Sequence, residues 1–436
     1  MKETTLDLRP ENEKTVVELI KKGVEIPNPL SIHVGEGVRV SQISGRGVRI
    51  YPGCRIYGRD TVISANARIG SEGPVTIENC QIGPRVELKG GYFKKAVFLE
   101  RASMGSGAHV REGCIVEERA SGAHCVGLKQ TILFPFVTLG SLINFCDCLM
   151  AGGTSRMNHS EVGSSYIHFN FTADGDKATA SLFGDVPRGV MLNQPPIFLG
   201  GQGGAVGPLR LAYGSVAIAG TVLRKDVTEE NRMIIGKSYR GGLIPFVSGL
   251  YTGLSHMVEN NIIYLANLAA LEQWYIHVRQ ETFRAHEFGD LIFRGALDKL
   301  TLAREERIRR LGAVAEKMPA SLEKQEKKGR AAEAREEFHR KFHLAEELFR
   351  SDMASRIGAE HRDPFVEGFM NRMKQDGGDY LSLVQGLSAH LSQGGTLWLE
   401  SIVHGLCRKT AGIFPSMNLF RRLTSTPQGE KTETHG

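Results

Sequence analysis

Apolar residues recur every six positions through much of the first half of the chain. Cys80, Val86, Tyr92, Phe98, Met104, Val110 and Val116 fall in step, with glycines and small residues between them, as in MGSGAHVREGCIVEERASGAH. Ile50, Ile56 and Val62 share a register of six, and Ala205, Leu211, Ala217 and Leu223 take it up again. A period of six fits neither a helix nor a simple strand. It fits a short strand and a tight turn, repeated, so that three steps close one triangular coil. Coils of this kind stack about 4.8 Å apart through ladder hydrogen bonds, and each buries its apolar residue against its neighbours. A β-sandwich with glycine-rich hairpins would instead show longer alternating runs at variable spacing.

The pattern predicts a β-solenoid with a C-terminal all-helical domain. Residues 1–30 form an N-terminal appendage with a short helical run at Val16, Val17, Leu19 and Ile20, stopped by the prolines at 27 and 29. The solenoid spans 31–241. Its regularity fails at about 151–204, a long polar and aromatic insertion of the sort that emerges from repeat proteins as a loop and carries binding. From 242 to 424 the apolar spacing turns helical, as with Ile262, Leu265, Leu268, Leu271, Trp274, Tyr275 and Val278. Residues 321–350 read as a charge-laced helix with oppositely charged neighbours one turn apart. The tail at 425–436 reads as disordered.

Composition narrows the field only a little. The chain has 436 residues, 23% charged and 41% hydrophobic, ordinary for a globular protein. Its 51 glycines matter more, because without collagen periodicity they point to a chain that turns sharply many times. No apolar stretch is long enough for a membrane span, and the start lacks a secretory pattern. Seven scattered cysteines suggest buried free thiols in a reducing compartment, so a cytoplasmic location is expected. Cys146 and Cys148 have no second close pair, so no metal is predicted. The net charge of +6 suits an anionic small ligand, and no nucleic-acid module is visible.

Three constellations could carry chemistry. Arg111 and Lys129 are eighteen residues apart, hence in the same position one coil apart. Two stacked cations need an anion or an acid between them, and a phosphate is the obvious guest; a solvated charged face is the alternative. The insertion gathers His159, His168, Asn170, Asp174, Asp176 and Lys177. Histidine is the natural general base near neutral pH, although an ordinary surface or hydrogen-bonded role is open to each. The third is GGQGG at 200–204, which lacks the context of a nucleotide loop. It lets the backbone pass close to a ligand, a neighbouring coil or a neighbouring subunit.

These features resemble the left-handed β-helix of the hexapeptide-repeat transferases, nearest to the acetyltransferase half of the bifunctional bacterial enzyme that makes UDP-N-acetylglucosamine. The text around REGCIV from Arg111, Lys129 in GLKQT, the Asn170–Phe171 and Asp174–Gly175 pairs before Lys177, and AIAGTVLRKDV at 217–227 carry the likeness. The resemblance covers about 80–230 well and 31–80 loosely. It implies a homotrimer with sites between subunits and an amino-sugar phosphate or nucleotide sugar near Arg111, Lys129, Ser141, Asn144, Asn170, Asp174 and Lys177. It also implies acetyl-coenzyme A along the late coils, near Gly200, Gly201, Ala219 and Lys237. The family's catalytic histidine falls at Ser141, and the tyrosine after it at Asn144. Either a histidine elsewhere then serves, His159 first and His168 second, or acetyl transfer is lost. No N-terminal glycine-rich loop with a following basic pair, the mark of the uridylyltransferase domain, is present in the chain.

The reading is an acyltransferase acting on an amino-sugar phosphate or nucleotide sugar. Two alternatives stand beside it. One is a non-acylating sugar-nucleotide-binding or nucleotidyltransferase-related protein. The other is a trimeric scaffold whose helical domain recruits a partner.

Overall fold

The computed structural model describes residues 13–169, 174–236, 242–243, 246–324 and 329–420. Short parallel strands stack in three flat faces. The first face has ten strands, from Arg49–Ile50 to Met233–Ile234. The second and third faces form one 16-stranded sheet, because Gly127–Leu133 and Asn144–Met150 run around the corner between them. On the second face Ala108–Val110 pairs with Gly127 and Leu128, which pair in turn with Asn144 and Phe145. On the third, Gln81–Ile82, Ala96–Phe98 and Cys114–Val116 lie side by side.

The coils are not uniform. Gln81 pairs with Val97, Ala96 with Cys114 and Gly127 with Asn144, so coils of 16, 18 and 17 residues occur. The inward seat therefore steps through Ile82, Leu88, Phe93, Phe98 and Met104, all buried. The six-residue column placed Tyr92 inside, but a five-residue step turns Phe93 inward and Tyr92 outward. Cys80 and Val86 occupy a second inward seat, two residues before Ile82 and Leu88. That seat lies at the corner and takes small residues: Cys54, Cys80, Cys114 and Cys148 all fill it as compact apolar groups. All seven cysteines are unpaired.

The stack also threads the irregular region at 151–204. Glu161–Val162, Ile167–Phe169, Ser181–Phe183 and Phe198–Leu199 each pair with coils on both sides. An antiparallel hairpin, Gly153–Ser155 with Asn158–His159, stands off the stack. At the other end α1 (Glu13–Lys22) buries Val16 and Leu19 over the first coil and ties Lys22 Nζ to the Val40 carbonyl at 2.9 Å.

The helical region comprises α2 (Leu254–Trp274), α3 (Gly289–Ala315), α4 (Arg330–Arg350), α5 (Ala359–Asp376) and α6 (Ala389–Ile413), with shorter helical segments between them. It lies along the side of the solenoid. α3 runs over Gln81–Ile82, Ala96–Phe98 and Cys114–Val116, and α2 meets Ser181–Phe183. The third face is suited to this. Its outward seats are Val97, Ile115, Ile132, Leu149 and Leu182, each at most 2% exposed. A sheet buried on both sides needs continuous apolar strands, and AVF, CIV and TIL supply them.

Buried polar pairs fix the register of this seam. After α2 a π-helical turn, Tyr275–Arg279, aims two side chains at consecutive solenoid acids. Tyr275 donates to Glu117 at 2.5 Å, and Arg279 grips both oxygens of Glu118. The Arg279 guanidinium also lies 3.6 Å from the centre of the Tyr380 ring. Burial pushes the Glu117 carboxyl up to about 7, opposed by Arg279 and Tyr275. Farther along α3, Arg307 donates to Asp147 at 2.6 Å and Lys299 to Gln81 at 3.1 Å.

Candidate functional site

The second face is the one that presents chemistry. Each of its strands points one residue inward and the flanking two outward. Val110 goes in while His109 and Arg111 face out; Leu128 goes in, leaving Gly127 and Lys129; Phe145 goes in, leaving Asn144 and Cys146. Lys94, Arg111 and Lys129 thus occupy one column on successive coils. Acids stand beside them, Glu78 on the coil before Lys94 and Glu112 next to Arg111. Glu78 lies 2.9 Å from Lys94, and Glu112 lies 3.1 Å from Lys129 and 3.7 Å from Arg111. Burial works against the Glu112 charge, but its own backbone N–H, Lys129 and Arg111 outweigh that and hold its pKa below the ordinary carboxylate value. Tyr92 leans on the exposed His109 ring, centroids 5.1 Å apart, and donates to Glu78 at 3.2 Å. Beside Lys129 a cleft of about 420 Å³ is lined by Glu305, Glu306 and Arg309 of α3 and by Glu346 and Arg350 of α4, both arginines being paired with these acids.

The corner leading into this face adds a histidine. Gly122 pairs with Leu139, so His124 and Ser141, each two residues on, stand in the same seat one coil apart. His124 Nδ1 lies 2.8 Å from Ser141 Oγ, and the Ser141 N–H donates to Ser164 Oγ at 3.2 Å. The column continues through Ser164, Gly201 and Ala219. Gly200 is required here by a close approach: a Cβ on it would lie 2.4 Å from the Ala219 nitrogen. GGQGG thus passes close to the adjacent coils, one of the three neighbours considered for it.

The sequence-predicted residues therefore divide. Arg111, Lys129 and Asn144 share the open face, with Ser141 at its corner and Gly200, Gly201 and Ala219 farther down that corner. His159 lies on the hairpin, its Nε2 3.9 Å from Glu161. His168 points into the solenoid, 2% exposed, with Nε2 2.9 Å from Ser181 Oγ. Burial, weakly opposed by the Cys146 backbone, pushes its pKa down to about 4. Asp174 accepts from the Ser248 hydroxyl and from the Gly249 N–H at 3.0 Å. Asp176 accepts from Tyr251 and Lys317. Both acids thus tie the solenoid to the helical region. Lys177 is exposed, and its carbonyl accepts from Arg307 at 3.3 Å. Asn170 and Lys237 lie outside the described residues. His109 and His124 escaped the sequence reading: the eighteen-residue spacing that aligned Arg111 with Lys129 sets His124 against Leu142, and it is the seventeen-residue coil between Gly122 and Leu139 that brings it to Ser141.

Among the described residues no group of three or more His, Cys, Asp or Glu is placed to hold a metal ion. None of the described helices is long and apolar enough to cross a membrane.

No family model matches the chain. Over 215 residues, 49% of the chain, it is 26% identical to the bifunctional protein GlmU of Thermotoga maritima, of which the match covers 42%. It is 26% identical over 211 residues to the bifunctional protein GlmU of Pelobacter propionicus, covering 48% of the chain and 40% of that protein. The protein of the same name from Geotalea uraniireducens is 26% identical over 217 residues, 50% of the chain and 42% of its own length. The chain thus spans about two fifths of the length of the curated relatives it matches. It is distantly homologous to GlmU-family proteins, and its fold is a left-handed β-solenoid consistent with the hexapeptide-repeat acyltransferases.

Proposed function

We propose that the protein is an acyltransferase that moves an acetyl group from acetyl-coenzyme A to the amino group of an amino-sugar phosphate or nucleotide sugar. The observation that carries this reading is the His124–Ser141 pair, set at the edge of the cation-lined second face and in one column with Gly201 and Ala219. With its proton on Nδ1 and donated to Ser141, the His124 ring leaves Nε2 free to accept a proton. The amine attacks the thioester carbon as Nε2 takes its proton. A C–N bond forms, the C–S bond breaks, and the thiolate leaves to be protonated as coenzyme A. Ser141 is a positioning residue in this scheme. Lys129 and Arg111 hold the phosphate, which enters against Glu112, and Asn144 meets the sugar. His124 is preferred to His168 because a base buried inside the solenoid cannot meet an amine outside it. It is preferred to His159 because that side chain belongs to the hairpin.

If the protein is a homotrimer, as the resemblance implies, its contacts fall on the first or second face, because the helices cover the third. One observation favours the scaffold reading: Glu112 already neutralises Arg111 and Lys129, so the stacked cations are satisfied without a bound phosphate.

The test is release of free coenzyme A thiol from acetyl-coenzyme A in the presence of glucosamine 1-phosphate. His124→Ala should lower kcat about 10²–10⁴-fold with KM little changed, and Ser141→Ala should lower it less. Full activity in His124→Ala would refute the assignment of the base. Binding of UDP-N-acetylglucosamine without any thiol release by the wild type would replace transfer with the binding reading.

A further inference from the structure

A second, separate cavity of about 300 Å³ lies at the seam between the late coils and the helices. Its apolar surface comes from Leu211 of the solenoid, Ile263 of α2 and Val403 of α6. Three charged or titratable side chains face it with bonding capacity unspent. Glu400 and His404 sit one turn apart on α6, and neither has a hydrogen bond or ion pair among the described residues. Arg210 uses Nη2 for Asp226 at 3.1 Å and Glu259 at 3.5 Å, which leaves Nε without an acceptor. The other arginine of the lining, Arg188, is already held by Asp185 and Glu230.

Arg210 Nε is shut off from water without an acceptor, which costs free energy, while Glu400 and His404 are partly buried; a ligand that matches all three supplies the missing acceptor and replaces water on the other two. The match is specific. Arg210 and His404 call for an oxyanion and Glu400 for a cation or hydrogen-bond donor. The space between them is apolar, and its volume is at the small end of ligand sites, which favour seams between domains. We propose that this cavity binds a small zwitterion of the aliphatic α-amino acid class. Its carboxylate lies against Arg210 and His404, its ammonium against Glu400, and its side chain on Leu211, Ile263 and Val403. Burial already raises the Glu400 carboxyl above its ordinary pKa, and a bound ammonium would reverse that. Because the ligand touches both solenoid and helices, it clamps the seam. The site does not depend on acyl transfer at the second face.

The experiment is calorimetric titration of the full chain with each of the twenty standard L-amino acids. At least one aliphatic member should bind with Kd at or below about 1 mM. Its decarboxylated amine and its deaminated acid should each bind at least about tenfold more weakly. Glu400→Gln should cost a similar factor, and Val403→Trp, which fills the space, should abolish binding while the thermal transition stays in place. If Val403→Trp does not fold, the two single-charge analogues and Glu400→Gln decide the matter. Absence of binding at about 10 mM, equal binding of either analogue, or unchanged binding in Glu400→Gln would overturn the proposal.

Discussion

His168 and Glu117 are both buried titratable groups, and their burial makes opposite demands on pH. The imidazole has a folded pKa of about 4 against 6.5 when free. Above 6.5 both states are neutral; as pH falls the unfolded chain gains a proton first. Stability is therefore lost between about pH 6.5 and 4, by roughly 3 kcal/mol at most, and no further below that. Urea unfolding of His168→Leu should lack this component, and an unchanged pH dependence would refute it. Glu117, raised from 4.5 to about 7, works the other way: its share of stability is lost as pH rises across that window. The Arg279–Glu118 pair makes a second prediction. Arg279→Met alone should destabilise by about 3–5 kcal/mol, because it strands a buried carboxylate, whereas adding Glu118→Leu should restore most of the loss. Equal loss in the single and double variants, read from unfolding midpoints, would contradict this. None of these pairings was legible in the sequence, since Glu117 and Glu118 look like any acidic dipeptide until a helix from beyond residue 270 is laid on them.

Among the elements, the strands were legible because their inward seats repeat, and the helices because theirs recur at 3.6. What the six-residue period concealed was the difference between faces. On the first face the outward seat holds Arg68, Glu87, Ser103 and Ser121; on the third it holds Val97, Ile115, Ile132 and Leu149. The signal was three consecutive apolar residues in AVF and CIV, which a period of six averages away. The corners hid for another reason. Arg85, Arg101 and Arg119 take the left-handed conformation at φ 57, 59 and 58°, at a cost of about 1–2 kcal/mol each that favours glycine elsewhere. A search for turns by glycine passes over them. The contrast between faces gives a direct test. Ile115→Asp should cost several kcal/mol, while Ser121→Asp should stay within about 0.5 kcal/mol. Equal effects in chemical denaturation would mean that the helices do not cover the third face.

At the scale of the molecule, the helices and the solenoid divide the work. The helices seal the third face and leave the second open, so the candidate site was half legible. The coil arithmetic brought Arg111 to Lys129, and the family resemblance pointed to Ser141, at the corner of the same face. His159, Asp174 and Lys177 belong to excursions from the stack, whose course no repeat can forecast. A chain ending at residue 236 should expose the apolar strip of the third face and associate or precipitate, as light scattering would record. A soluble, well-folded product would contradict the seam described here. The central claim is that ligand meets the second face, and hydroxyl-radical footprinting tests it most directly. With saturating UDP-N-acetylglucosamine, Tyr92, His109 and His124 should be protected from oxidation while Met157 on the hairpin, 93% exposed, should not. Protection of Met157 and His159 with those three rings unchanged would place the site on the hairpin and contradict the account.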